Sequence, residues 1–116
     1  MMLERKKVLL AEDDSSMRRF IEIILQKADY EVLTAEDGLT AMQIAMETEI
    51  DVIVADAIMP HMSGYDLCRM LRERRIPCII LSGLAESNGD DDLADMFLTK
   101  DTNLKEQLLS ALEKLL

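Results

Sequence analysis

The stretch VLLAEDDSSMRRFI, residues 8–21, changes its apolar period halfway along. Four apolar residues, 8–11, run into three acids, Glu12, Asp13 and Asp14. After Ser15 the apolar positions become Met17, Phe20 and Ile21, continued by Ile24, Leu25 and Ala28. A short run that is apolar throughout fits a strand buried on both faces; the alternating steps of three and one fit a single helical stripe. Asp14 and Ser15, at the join, are residues that cap helices.

The same strand-then-helix unit recurs outward from this stretch. Apolar runs at 32–35, 52–55, 76–81 and 96–98 predict four more strands, and three of the five runs are rich in Val and Ile. Leu39, Met42, Ala45 and Met46 mark a second helix, and Leu67, Met70 and Leu71 a shorter third. Leu104, Leu108, Ala111, Leu112 and Leu115 mark the last, with Thr102 or Asn103 as its expected cap. Alternating units of this kind predict an α/β fold, a doubly wound parallel sheet with helices on both faces.

Composition narrows the function. With 116 residues the chain is expected to form one domain, 1–116, and its 49% hydrophobic content suffices for a packed core. Thirteen basic residues against 23 acidic ones give a net charge of −10, which repels phosphate backbones and anionic lipid, so no direct nucleic-acid or membrane binding is expected. Cys68 and Cys78 are too few for a disulfide framework and form no CxxC pair; they are expected as unpaired core fillers in a reducing cytoplasm. No apolar run is long enough to span a bilayer.

In a parallel sheet, ligands bind at the carboxyl ends of the strands. Glu12 and Asp13 follow the first predicted strand, Asp56 the third, Ser82 the fourth and Lys100 the fifth. Carboxylates gathered without His or Cys suit Mg²⁺, and a hydroxyl with an ammonium opposite suits phosphoryl oxygens. Asp56 is then a candidate nucleophile, since a carboxylate can form an acyl phosphate. Singly, each residue has a plainer reading as a loop acid, a turn cap or a solvated lysine. Their ordered placement after four strands is what the plain readings do not supply.

These segments, with DVIVADAIMPHMSG at 51–64, IPCIILSG at 76–83 and FLTK at 97–100, resemble the receiver domain of bacterial two-component response regulators, the single-domain chemotaxis type most of all. The resemblance implies a flavodoxin-like doubly wound sheet of five parallel strands in the order 2-1-3-4-5. It implies that Asp56 accepts a phosphoryl group from a histidine kinase or phosphotransfer protein. Mg²⁺ would be held by Glu12, Asp13, Asp56 and the backbone carbonyl of Ile58. Ser82, Lys100 and Phe97 would bind the phosphate and carry the switch. Ala57, Ile58 and Leu84 would tune the lifetime of the phosphorylated state; Ile58 and Leu84 are apolar and orient no water, so slow self-dephosphorylation is expected. Such a domain is a signalling module, not an enzyme with turnover, and it acts through contacts with a downstream protein or an output domain.

Two departures alter the expectation. The family's lysine is usually followed by proline, often through a cis bond, whereas Asp101 follows Lys100; a cis bond here would cost about 3 kcal/mol, so a trans bond and a different loop are expected. The segment from Ser82 to Lys100 is short, so the fourth helix is expected to be short or irregular. Two other readings remain open: a phosphorylation-independent interaction module with the same fold, and an aspartyl-nucleophile phosphohydrolase. The second is disfavoured by Ile58, since such enzymes carry another Asp two residues after the nucleophile. Arg18 and Arg19 lie off the first helical stripe as a solvated face or a steering surface, and His61, the one histidine, is expected to be exposed.

Overall fold

Five strands alternate with four helices along the residues that the computed structural model describes, 4–83 and 95–116. In chain order they are β1 (Lys7–Ala11), α1 (Ser15–Lys27), β2 (Glu31–Ala35), α2 (Gly38–Glu47), β3 (Val52–Asp56), α3 (Gly64–Arg72), β4 (Cys78–Ser82), β5 (Met96–Thr99) and α4 (Leu104–Leu115). All pairings are parallel, and the sheet order is β2-β1-β3-β4-β5, as expected. The expected short helix after Ser82, together with Leu84, lies outside the described residues.

The sheet divides the core in two because side chains alternate across it. Leu9, Ile53, Ala55 and Ile80 face one side and pack with Ala41 and Ala45 of α2 and Leu67 and Leu71 of α3. Val8, Leu10, Val52, Val54, Ile79 and Leu81 face the other and pack with Ile21 and Leu25 of α1 and Leu108 and Leu112 of α4. Away from their ends the central strands are therefore apolar at every position, which is why their buried stretches run without a polar break. β3 ends on Asp56, whose Cα pairs with that of Leu81 in the ladder.

Each of the first three helices begins on a side-chain cap: Asp14 accepts from Ser16 N–H, Asp37 from Thr40 N–H and Ser63 from Asp66 N–H. The fourth corrects the sequence reading. Asn103 precedes α4 but makes no side-chain cap bond; the carboxylate of Asp101 accepts from the Asn103 N–H instead. The fourth strand also starts later than its apolar run suggests. Arg75 turns through a positive φ of 60°, Pro77 has no N–H to give, and the ladder begins at Cys78, whose N–H bonds the Asp95 carboxylate at 2.7 Å.

The cysteines are a second correction. Cys68, on the inward side of α3, lies over Cys78, the first residue of β4, with Cα atoms 5.9 Å apart, and the two are joined as a disulfide. Both are buried, as core fillers would be, but they are paired. Spacing along the chain does not reveal this, because the pairing depends on where α3 crosses the sheet.

Candidate functional site

The acids that end β1 and β3 converge at the carboxyl edge of the sheet. Glu12 is fully buried, Asp56 is half-buried and Asp13 is exposed. One carboxylate oxygen from each lies within 4.8 Å of the other two. Lys100, one residue past β5, reaches across: its Nζ donates to Glu12 Oε1 at 2.7 Å and sits 3.0 Å from Asp56 Oδ2. Glu12 Oε2 accepts from the Asp14 N–H, so both oxygens of the buried carboxylate are engaged.

The backbone holds these groups in place. The Glu12 N–H donates to Ala35 O of β2, and the Lys100 N–H donates to Ser82 O, which brings Ser82 and Lys100 side by side at the ends of β4 and β5. Arg18, read from sequence as a solvated or steering residue, points back and donates to the Glu12 carbonyl at 2.8 Å. Arg19 pairs with Glu22 on the helix surface. His61 is exposed, as expected, yet its Nδ1 lies 3.0 Å from Asp37 Oδ2, linking the loop after β3 to the start of α2. That partner sits 24 residues away, where no local pattern signals it.

The remaining candidates take varied positions. Ile58 projects into solvent, 81% exposed, while Ala57 next to it is buried in the core between the sheet and α3. Phe97 is half-buried against the same core, with its ring centroid 6.1 Å from that of Tyr65. The Lys100–Asp101 bond is trans, as expected, there being no cis peptide among the described residues.

Glu12 carries the large electrostatic displacement. Burial pushes its carboxyl from the ordinary 4.5 up to about 7; the Lys100 ammonium pulls it partly back, and Asp56 adds to the rise. Burial works against the Lys100 charge, but Glu12 and Asp56 outweigh it and raise the lysine overall. A carboxyl held above its ordinary value keeps a proton when folded that the unfolded chain gives up. Stability from this group is thus present below 4.5 and is lost as pH rises through about 7.

Three carboxylates with no nitrogen or sulfur donor form a hard oxygen set that fits Mg²⁺, with Glu12, Asp13 and Asp56 as the residues that would hold it. A cation held there would compete with the Glu12 proton. Mg²⁺ affinity should fall about tenfold for each pH unit below 7 and level off above it. Calorimetric titration at successive pH values reads this directly, and a flat profile would remove Glu12 from the cation site.

Comparison with known proteins agrees with this arrangement. The sequence profile of the response regulator receiver domain matches residues 8–113. A probable transcriptional regulator, ycf27, of Galdieria sulphuraria is 40% identical over 83 residues, covering 71% of this chain and 32% of that protein. The chain thus spans about a third of that relative's length. Among solved structures, the response regulator TrrA of Thermotoga maritima, in complex with Mg²⁺-BeF, superposes with a TM-score of 0.89 at 27% identity, covering 96% of this chain and 99% of TrrA. The chemotaxis protein CheY4 of Vibrio cholerae superposes with a TM-score of 0.87 at 32% identity, covering 97% of this chain and all of CheY4.

Proposed function

The chain belongs to the response regulator receiver domain family, and on that basis we propose that Asp56 is its phosphoacceptor, taking a phosphoryl group from a histidine kinase or phosphotransfer protein. The observation that carries this reading is the contact of Lys100 Nζ with both Glu12 and Asp56, at the edge where three carboxylates meet. An ammonium beside the acceptor carboxylate compensates the negative charge that a phosphoryl group brings to it.

In the transfer, an Asp56 carboxylate oxygen forms the new bond to phosphorus as the bond to the donor nitrogen breaks. Such a loose, in-line reaction needs positioning and charge compensation more than acid–base work. Mg²⁺, when bound to Glu12, Asp13, Asp56 and the Ile58 carbonyl, supplies further compensation for phosphoryl oxygens. Lys100 pairs with those oxygens from the side of β5, and the Ser82 hydroxyl donates to them from the end of β4. Phe97 follows Ser82, so that a local charge event shifts a pre-existing equilibrium of surface shapes read by a downstream protein. The activity is stoichiometric signalling and not turnover.

The reading is tested by intact mass after incubation with a small phosphodonor and Mg²⁺. One added phosphoryl group supports it; none, with the fold intact, sinks it. Lifetime offers a separate check. Ile58 stands in solvent at the lip of the site and Ala57 is buried, so tuning by this loop falls on Ile58. Ile58→Asn, which brings an amide able to orient water, should speed loss of the phosphoryl group by about tenfold. Unchanged decay would assign the lifetime to other residues.

We place the domain in the cytoplasm, where phosphodonor proteins of this family act. The cysteine pair withdraws the argument from unpaired thiols, so this placement rests on the family. No helix among the described residues is long and apolar enough to cross a membrane.

A further inference from the structure

Lys100 occupies the middle of a turn that one neighbouring carboxylate ties together. The Asp101 N–H donates to Thr99 O at 3.0 Å, closing a three-residue turn around Lys100. Across the same turn, Thr99 Oγ1 donates to Asp101 Oδ2 at 2.9 Å. The other oxygen, Asp101 Oδ1, accepts from the Asn103 N–H at 2.9 Å and from Gln107 Nε2 at 3.2 Å. The Asp101 carbonyl accepts from the Leu104 N–H. One side chain therefore binds the last residue of β5 with one oxygen and the first turn of α4 with the other, and Lys100 lies between the two anchorages.

We infer that Asp101 is a positioning residue for Lys100: by closing the turn through Thr99 and anchoring it to α4, its carboxylate sets the direction from which the ammonium reaches Glu12 and Asp56. A lysine is a point charge on a flexible four-carbon stem, so its head is only as well placed as the backbone it leaves. Lys100 has its own N–H fixed to Ser82 O, which secures the side of the turn toward β4. Toward α4 the turn is held by Asp101, whose carbonyl accepts from the Leu104 N–H and whose Oδ1 accepts from Asn103 and Gln107. The two oxygens also separate two roles. Oδ1 holds the Asn103 N–H and the Gln107 amide, which ties the loop to α4; Oδ2 braces the backbone turn through the Thr99 hydroxyl, beside Lys100.

That separation makes the inference testable. It rests on the phosphoacceptor reading of Asp56, so the experiment needs one readout that depends on phosphorylation and one that does not. Thr99→Val removes the bond to Oδ2 and leaves the Oδ1 bonds to Asn103 and Gln107; Asp101→Ala removes all of them; Asp101→Asn keeps them, because its amide oxygen still accepts from Asn103 and its amide nitrogen donates to the Thr99 hydroxyl. With phosphoramidate and Mg²⁺, the labelling rate should fall about tenfold in Thr99→Val and Asp101→Ala and recover in Asp101→Asn. The thermal midpoint should drop only in Asp101→Ala. The proton–nitrogen NMR signal of the Lys100 ammonium, recorded without donor or metal, should be sharp in the parent and in Asp101→Asn and broadened in the other two. Parent-like rates and a parent-like ammonium signal in Thr99→Val and Asp101→Ala would overturn the inference. A parent chain that gains no phosphate would overturn the Asp56 reading instead, and the ammonium signal would still decide the part played by Asp101.

Discussion

Asp56→Asn should abolish phosphate uptake while leaving the fold in place. The amide is nearly the same size, and Asp56 is half-buried at the end of β3, so packing changes little. What is lost is the anionic oxygen that attacks phosphorus; a neutral amide oxygen is no substitute, and the rate should fall on the order of a thousandfold or more. Removing this charge also relieves Glu12, since Asp56 contributes to the rise of its pKa. The Glu12 pKa should therefore move down in the variant, and melting at neutral pH should hold or improve slightly. Intact mass after phosphodonor and Mg²⁺ reads the first effect and a pH series of thermal midpoints the second. Uptake at the parent rate would place the acceptor on another residue.

The other large effect is expected from a methyl group. Gly64 opens α3 where the chain passes behind Asp56, and a Cβ there would stand 2.2 Å from the Asp56 carbonyl oxygen and 3.1 Å from Ile80 Cδ1. The carbonyl has little room to retreat, because β3 is paired on both sides, to β1 and to β4. Gly64→Ala should cost about 3 kcal/mol, the upper part of the range for overpacking, which exceeds the ~1 kcal/mol that alanine gains over glycine inside a helix. Because the displaced atom belongs to the acceptor residue, labelling of the surviving folded protein should slow as well. Gly83→Ala is the matched control: among the described residues a Cβ there meets nothing within 4 Å, and its stability change should stay within about 0.5 kcal/mol. Denaturant midpoints for the two variants settle the comparison, and equal midpoints would show that β3 yields more readily than its ladders suggest.

The parts of the molecule that were legible from sequence are those governed by local pattern. Strands β1 and β3 announce themselves because both faces are buried and no polar residue interrupts 8–11 or 52–55. The gathering of Glu12, Asp13, Asp56 and Lys100 follows from strand polarity, since every parallel strand delivers its next residue to the same edge. What escaped depends on distances that no local pattern encodes. The union of Cys68 and Cys78 is set by where α3 crosses β4, and the inward turn of Arg18 toward the Glu12 carbonyl is set by the loop between them. In the sequence Asp101 stands out only as the residue where the family usually has proline. Its bond to the Asn103 N–H escaped because Thr102 and Asn103 lie nearer the helix start, where a cap is sought by position.

The strand order has a mechanical corollary. Asp56 rides on the middle strand of five, gripped by a ladder on each flank, whereas Lys100 hangs from the outermost strand, which has one neighbour. The site is thus a vise with one jaw bolted to the bench and one sliding. A bulky group placed between them is expected to shift the β5 side more than the β3 side, which two ladders hold.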